Sequence, residues 1–151
     1  MTGPLALVYR GKASSPGCPE AAARLLARSP LGFRVAYVGE REELRLTPEA
    51  LAGAGLYVQP GGGELRPAWR RMRGHAATIR DFVAAGGRYL GFCLGGYLAG
   101  HSPGFGLLEH DTDQYVATPS AEVRDERPTV IEVDWGTRLR RLYFQDGCRF
   151  T

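Results

Sequence analysis

The stretch "GGRYLGFCLGGYLAG" (residues 86–100) decides the fold of this 151-residue chain. An apolar run reaches a single cysteine, Cys93, and two glycines follow before a second apolar run begins. Gly91-Phe92-Cys93-Leu94-Gly95 reads as G-x-C-x-G, the cysteine counterpart of the G-x-S-x-G turn that lifts a nucleophile between a strand and a helix. Glycines two before and two after the raised residue relieve crowding where the strand packs against the following helix. A strand feeding such a turn asks for crossover helices and a parallel sheet, and the rest of the chain is read outward from that expectation.

Upstream, "LALVYRG" (5–11), bounded by Pro4 and Gly11, reads as a buried strand. "CPEAAARLLARSP" (18–30) reads as a helix, with Pro19 in its first turn and Pro30 stopping it. "FRVAYVGE" (33–40) alternates as a second strand, and "TPEALAG" (47–53) carries a helix start with Thr47 as the cap. "GLYVQPGGG" (55–63) is a third strand ending in a glycine loop. Leu65, Trp69, Met72, Ala76, Ile79 and Val83 recur at three and four residues and predict one long helix ending at Gly86-Gly87, before the fourth strand and a short helix. Beyond Gly106, "DQYVATP" (113–119), "TVIEVDW" (129–135) and "RLYFQDG" (141–147) read as strands without crossover helices, hence partly antiparallel. The expected fold is α/β and flavodoxin-like: a doubly wound, mostly parallel sheet with helices on both faces and some antiparallel strands toward the C-terminus, in one domain spanning residues 1–151.

Composition narrows the function classes. At 44% hydrophobic and 23% charged residues, with no apolar run of membrane-spanning length, the chain reads as a soluble globular protein without a membrane span. "MTGPLALVYRG" has no basic leader and too short an apolar run for a signal peptide, so a cytoplasmic location is expected. Cys18, Cys93 and Cys148 are odd in number with no CxxC spacing; reduced thiols are expected, with no metal and no cofactor. Net charge is +3, and Lys12 is the only lysine. The basic cluster "RPAWRRMR" (66–73) is read as a solvated helix face rather than a nucleic-acid surface.

In open α/β sheets ligands collect outside the carboxyl ends of the strands. Three segments should meet there: the Gly11–Cys18 loop, the Pro60–Gly63 loop and the Cys93 turn. The helix after Cys93 would aim its free N–H groups and positive dipole end at the sulfur, favouring thiolate, and the Leu94 N–H would be one donor of an oxyanion hole. "QPGGG" could supply the second donor. The loop "GKASSPG" (11–17), with Lys12, Ser14 and Ser15, could bind a polar or anionic ligand part, an ordinary polar loop being the preferred reading.

Taken together, "YVQPGGG" followed one long helix later by "GGRYLGFCLGGYLAG" resembles class I glutamine amidotransferase-like domains. The nearest branch is the N-terminal domain of eukaryotic biotin–protein ligases and related stand-alone bacterial proteins. "LVYRGKASSPG" and "LYFQDG" are similar to that branch too, so the resemblance covers most of the chain. It implies that Cys93 attacks an amide or related acyl group of a small molecule, with Gly61, Gly62 and Leu94 at the oxyanion. Gly63, Ser14, Ser15 and Gln145 would line the substrate, and Asp146 falls at the catalytic edge. A partner synthetase or ligase is a further implication.

The resemblance departs from the family pattern at the base. The superfamily follows a late strand with a His-x-Glu pair, and the matching place, "FQDGCRF" (144–150), holds Gln145 and Asp146 but no histidine. A related branch puts a histidine directly after the cysteine, where Leu94 stands. His75 reads as a surface helix residue, His101 as a helix-end residue and His110 as the best stand-in base, though a turn role is preferred for it. Asp111 and Asp113 read as turn caps that could instead reach Cys93. Cys18 and Cys148 would form a redox pair or soft-metal site only if both lie on the Cys93 edge. Complete domains of this type are longer, so a shortened C-terminus is expected. Two functions stand: a cysteine hydrolase with an incomplete triad, and a non-catalytic binding or regulatory module that keeps the turn and the glycine loop.

Overall fold

Strand β1 (Leu5–Tyr9) lies between β2 (Arg34–Val38) and β3 (Leu56–Gln59), and β4 (Arg88–Gly91) pairs on the far side of β3. All pairings are parallel, in the order β2-β1-β3-β4, in this computed structural model, which describes residues 3–151. The apolar runs at β1 and β3 are almost wholly buried, as strands covered on both faces must be.

Crossover handedness distributes the helices. The β1-to-β2 step moves one way across the sheet and the later steps move the other way, so right-handed connections place their helices on opposite faces. Helix α1 (Cys18–Ala27) takes the first face, where Ala22 and Leu26 pack on Ala6, Val8, Leu56 and Val58. The second face carries α2 (Pro48–Ala52), α3 (Leu65–Met72) and α4 (Ala76–Ala84). There Leu51, Met72 and Ile79 close on Leu7, Tyr9 and Tyr57. Thr47 caps α2 through its hydroxyl, which accepts from the Ala50 N–H at 3.3 Å. The doubly wound α/β fold with helices on both faces is therefore present.

Three local expectations need correction. The long helix is two helices joined by a 3₁₀ turn at Arg73–His75. Gly74, a poor helix former, lets the backbone tighten there, yet the apolar stripe continues inward through Met72, Ala76 and Ile79. The expected strand at 113–119 shortens to β5 (Thr112–Gln114), because the chain coils into a 3₁₀ turn at Tyr115–Ala117, where the Thr118 N–H closes on the Tyr115 carbonyl. The strand expected at 141–147 runs instead as β7 (Arg138–Phe144), in an antiparallel hairpin with β6 (Thr129–Trp135). Cys148 opens a further strand, β8 (Cys148–Phe150), paired antiparallel with β5.

A buried polar chain ties the strand ends to the loops. The Tyr57 hydroxyl donates to Gln59 Oε1 at 2.7 Å, and Gln59 Nε2 donates to the Ala13 carbonyl at 3.2 Å. The Ala13 N–H donates to the Tyr9 hydroxyl, which donates to Glu40 Oε1 at 2.6 Å. Gln59 is wholly buried, so each of its bonds replaces water that cannot enter. Gln59→Leu keeps the volume but strands the Tyr57 hydroxyl and the Ala13 carbonyl. It is expected to cost about 1–3 kcal/mol for each unpaired group, read as a lowered urea midpoint at constant slope.

Candidate active site

Cys93 stands on a turn with no spare volume. The β3–β4 ladder continues through the Phe92 N–H, which donates to the Gln59 carbonyl at 3.1 Å. Helix α5 (Leu94–Leu98) begins at the next residue but one. A Cβ on Gly95 would lie 2.1 Å from the Gln59 carbonyl oxygen, and one on Gly91 would lie 2.4 Å from the Gly95 carbonyl carbon, so both positions exclude any side chain. Reversing in so little space, Cys93 adopts φ 48° and ψ −108°, a conformation that costs an L-residue on the order of 1–3 kcal/mol. Leu94 and Gly95 are buried while Cys93 is exposed, so the side chain is turned out at the carboxyl edge of the sheet.

The backbone N–H groups of Leu94 and Gly62 lie on the sulfur's side of the turn and the glycine loop, where they favour the thiolate of Cys93. Gly62 reaches this position at φ 118°, with the Ser15 hydroxyl packed where its Cβ would be. Neighbouring Gly61 accepts from the Ser15 N–H at 3.2 Å, so the loop after β1 braces the glycine loop after β3.

The expected bias toward thiolate is not found. Protein crowding around the sulfur raises the Cys93 thiol above its ordinary value, and the negative charge of Asp146 adds to the rise. The two N–H donors pull the other way and are outweighed. Helix α5 has only five residues, under two turns, so few peptide dipoles are aligned to oppose burial.

A cavity of about 370 Å³ opens beside Cys93, with Asp146, Gln114, Glu126, Asp113, Glu64 and Tyr97 along its polar side. Its lining includes four carboxylates and no lysine, arginine or histidine. The Gln114 Nε2 donates to Asp146 Oδ1 and to Glu126 Oε1, both at 2.8 Å, holding two carboxylates on one wall. The Tyr97 hydroxyl donates to the Asp146 carbonyl at 3.3 Å and ties α5 to the turn carrying Asp146, itself at φ 47°.

Of the residues picked out in the sequence, Cys93, Leu94, Gly63 and Asp146 share this cavity, and Gly61 backs Cys93 in an apolar groove of about 290 Å³ on its other side. Gln145 lines none of these hollows; it is exposed, and its Oε1 accepts from the Tyr143 hydroxyl at 2.6 Å. Ser14 and Ser15 line a separate cavity of about 490 Å³ between the loops after β1 and β2. There Arg10 forks onto Glu42 at 2.7 and 2.8 Å and lies 3.7 Å over the Tyr37 ring, holding the Glu42 carboxyl below its usual range.

No histidine lines any of the three hollows. His101 has Nε2 2.6 Å from the Leu108 carbonyl, His110 is exposed, and His75 is half-buried in the 3₁₀ turn between α3 and α4. Asp111 caps the turn, its Oδ1 accepting from the His101 and Thr112 N–H groups. Asp113 accepts from the Gln114 N–H while also lining the Cys93 cavity. Charge on Cys18 disfavours thiolate at Cys93, charge on Cys93 disfavours it at Cys148, and all three thiols are free. Among the described residues no cluster of three or more side chains is arranged to hold a metal. Gln114, Glu126, Glu64 and Tyr97 were not singled out in the sequence, because nothing local distinguishes them from surface polar residues.

The profile of the family described as "Biotin-protein ligase, N terminal" matches residues 5–118, from β1 to just past the turn after β5. The chain belongs to that family. The match holds Cys93 and the glycine loop but leaves Gln145 and Asp146 outside it. A curated relative, the imidazole glycerol phosphate synthase subunit HisH of a Cyanothece species, is 31% identical over 84 residues, half of this chain and 40% of the relative. The chain thus spans about two-fifths of that relative's length. Both matches agree with the glutamine amidotransferase-like, biotin–protein ligase N-terminal branch, and no helix among the described residues is long and apolar enough to cross a membrane.

The electrostatics set the sign of a pH experiment. Alkylation of Cys93 by iodoacetamide, followed by peptide mapping, is expected to show a midpoint above the ordinary thiol value. Asp146→Asn removes a neighbouring negative charge and shifts that midpoint down. An upward or absent shift would show that the carboxylate does not act on the sulfur.

Proposed function

We propose that the chain is a cysteine hydrolase of amidotransferase type, acting on a carboxamide or related acyl group of a small molecule. The observation carrying this reading is the strained turn that faces Cys93 outward against the glycine loop, with the Leu94 and Gly62 N–H groups favouring its thiolate. Donors placed there also reach the oxygen of a carbonyl whose carbon meets Sγ, as a tetrahedral intermediate requires. Sγ bonds to the carbonyl carbon, the carbon–nitrogen bond breaks, and the amine departs with the thiol proton; water then releases the acid. Asp146, a carboxylate lining the same cavity as Cys93, is the group assigned to carry that proton.

The acidic lining favours a ligand with a positive charge on its polar side. A bound ammonium group would offset Asp146 and ease thiolate formation, so activation is tied to occupancy rather than to a resident histidine. By analogy with a relative whose name makes it a subunit of a synthase, a partner synthetase or ligase would take up the product.

The second reading is a non-catalytic binding module, favoured by the absence of histidine from the cavity and by the raised thiol. p-Nitrophenyl acetate separates the two. The hydrolase reading expects one acetyl group per chain on Cys93, formed faster as pH rises and abolished in Cys93→Ala. A chain that is never acylated, yet binds an amide ligand equally well as Cys93→Ala, is a binding module.

A further inference from the structure

Cys93 is a shared wall between two hollows of opposite character. On one side is the acidic cavity; on the other is the groove of about 290 Å³, whose lining is apolar apart from thiols and backbone. Cys18, Ala21, Ala22 and Leu25 form one stripe of α1 at i, i+3, i+4 and i+7, and this stripe faces Phe92, Gly61 and Cys93. Ala22 is buried against the sheet, but Leu25 is 58% exposed, and Phe92 is only half-buried.

Topology accounts for the opening. Every crossover after β2 moves the same way, so its helix lands on the opposite face, and the flank of β4 on the α1 side keeps only α1 for cover. The two alanines then set the groove's depth, since longer side chains at those positions would fill it. The floor is continuous with the proposed nucleophile: a carbonyl carbon at Sγ, with its oxygen toward the Gly62 and Leu94 N–H groups, has one substituent directed to the acidic cavity and the other to the groove.

We propose that the groove between α1 and Phe92 is a substrate subsite that takes an unbranched apolar chain, so that the bond presented to Cys93 joins an apolar group to a polar, amine-bearing one. This rests on the reading of Cys93 as the attacking group, but it concerns binding beside the sulfur and is tested without turnover. The occupant is a small-molecule chain rather than a macromolecule because the hollow holds only about 290 Å³ and includes the reactive atom in its lining.

The test uses N-alkyl iodoacetamides of increasing chain length on the whole chain in a Cys18→Ala background, with modification at Cys93 read by peptide mapping. Each methylene that enters the groove should raise the second-order rate constant about threefold to fourfold, the factor equivalent to ~0.8 kcal/mol per buried CH₂, until the groove is full. The ratio of the N-hexyl to the N-methyl rate constant should fall toward one in Ala21→Trp, which fills the groove, and in Leu25→Asp, which makes it polar. Both positions are on the solvent side of α1, so circular dichroism should show an intact fold. A ratio near one in the parent chain, or a ratio unaltered in both variants, overturns the subsite. So does a parent chain that light scattering finds dimeric and Leu25→Asp makes monomeric, with no chain-length effect; a second copy would then cover the groove. A chain-length effect without acylation by p-nitrophenyl acetate keeps the subsite and removes the hydrolase, so the two readings fail separately.

Discussion

The backbone-to-backbone contact between the Gly91–Gly95 turn and the end of β3 is the constraint on which the site depends. With the Gln59 carbonyl pressed against Gly95, and Gly91 against Gly95 in turn, the chain has no lateral freedom between β4 and α5. The intervening residues must reverse within two peptide units. The strain falls on Cys93, whose left-handed φ turns the sulfur away from the packed interior. The same contact fixes the Leu94 N–H relative to that sulfur. The glycine loop is held to the turn from the other side, because Gly61 is braced by Ser15 and β3 itself is anchored by Gln59. The buried chain of hydrogen bonds from Tyr57 through Gln59, Ala13 and Tyr9 to Glu40 therefore does positional work for a site none of those residues enters.

Electrostatically the site leans against its own nucleophilic state. Burial and Asp146 raise the thiol, two backbone donors lower it, and burial dominates. A resting thiol in an acidic cavity is poorly suited to indiscriminate reaction, and under the proposed function the charge that activates it would come with the ligand. That property follows from the chain supplying four carboxylates to the cavity without a cation, two of them bridged by Gln114. On the opposite side of the sulfur the small side chains of Ala21 and Ala22 leave a groove that the crossover topology does not cover. Cys93 thus sits on a polarity boundary, and the boundary gives the proposed substrate its two-sided character.

The fold was readable because its signals are local. Pro19 in a first turn, Thr47 before a proline and the buried runs at 5–9 and 56–59 act over a few residues, and each marked its element. Periodicity was less informative where it did not change phase: Leu65 through Val83 keep one apolar face through the 3₁₀ turn, so the interruption at Gly74 left no trace in the pattern. Past Gly106 the alternation of apolar residues marked strands but not their limits. The strand at 112–114 gives way to a coil where the Tyr115 N–H donates to the distant Gly147 carbonyl, and β7 ends at Phe144 opposite Thr129, the first residue of β6.

For the site, residue order alone determined the turn: G-x-C-x-G permits a strand to reverse into a helix only with the middle residue thrust outward, and the glycine loop one crossover earlier must end on the same edge. The tertiary structure decided what surrounds the sulfur. Asp146 arrives from 53 positions later in the chain and Gln114 and Glu126 from between them, while the histidines are held elsewhere by their own turns and exposure. Whether the thiol is raised or lowered is a sum over burial and charge at that point in space, and a sequence does not contain that sum until the chain has closed around it.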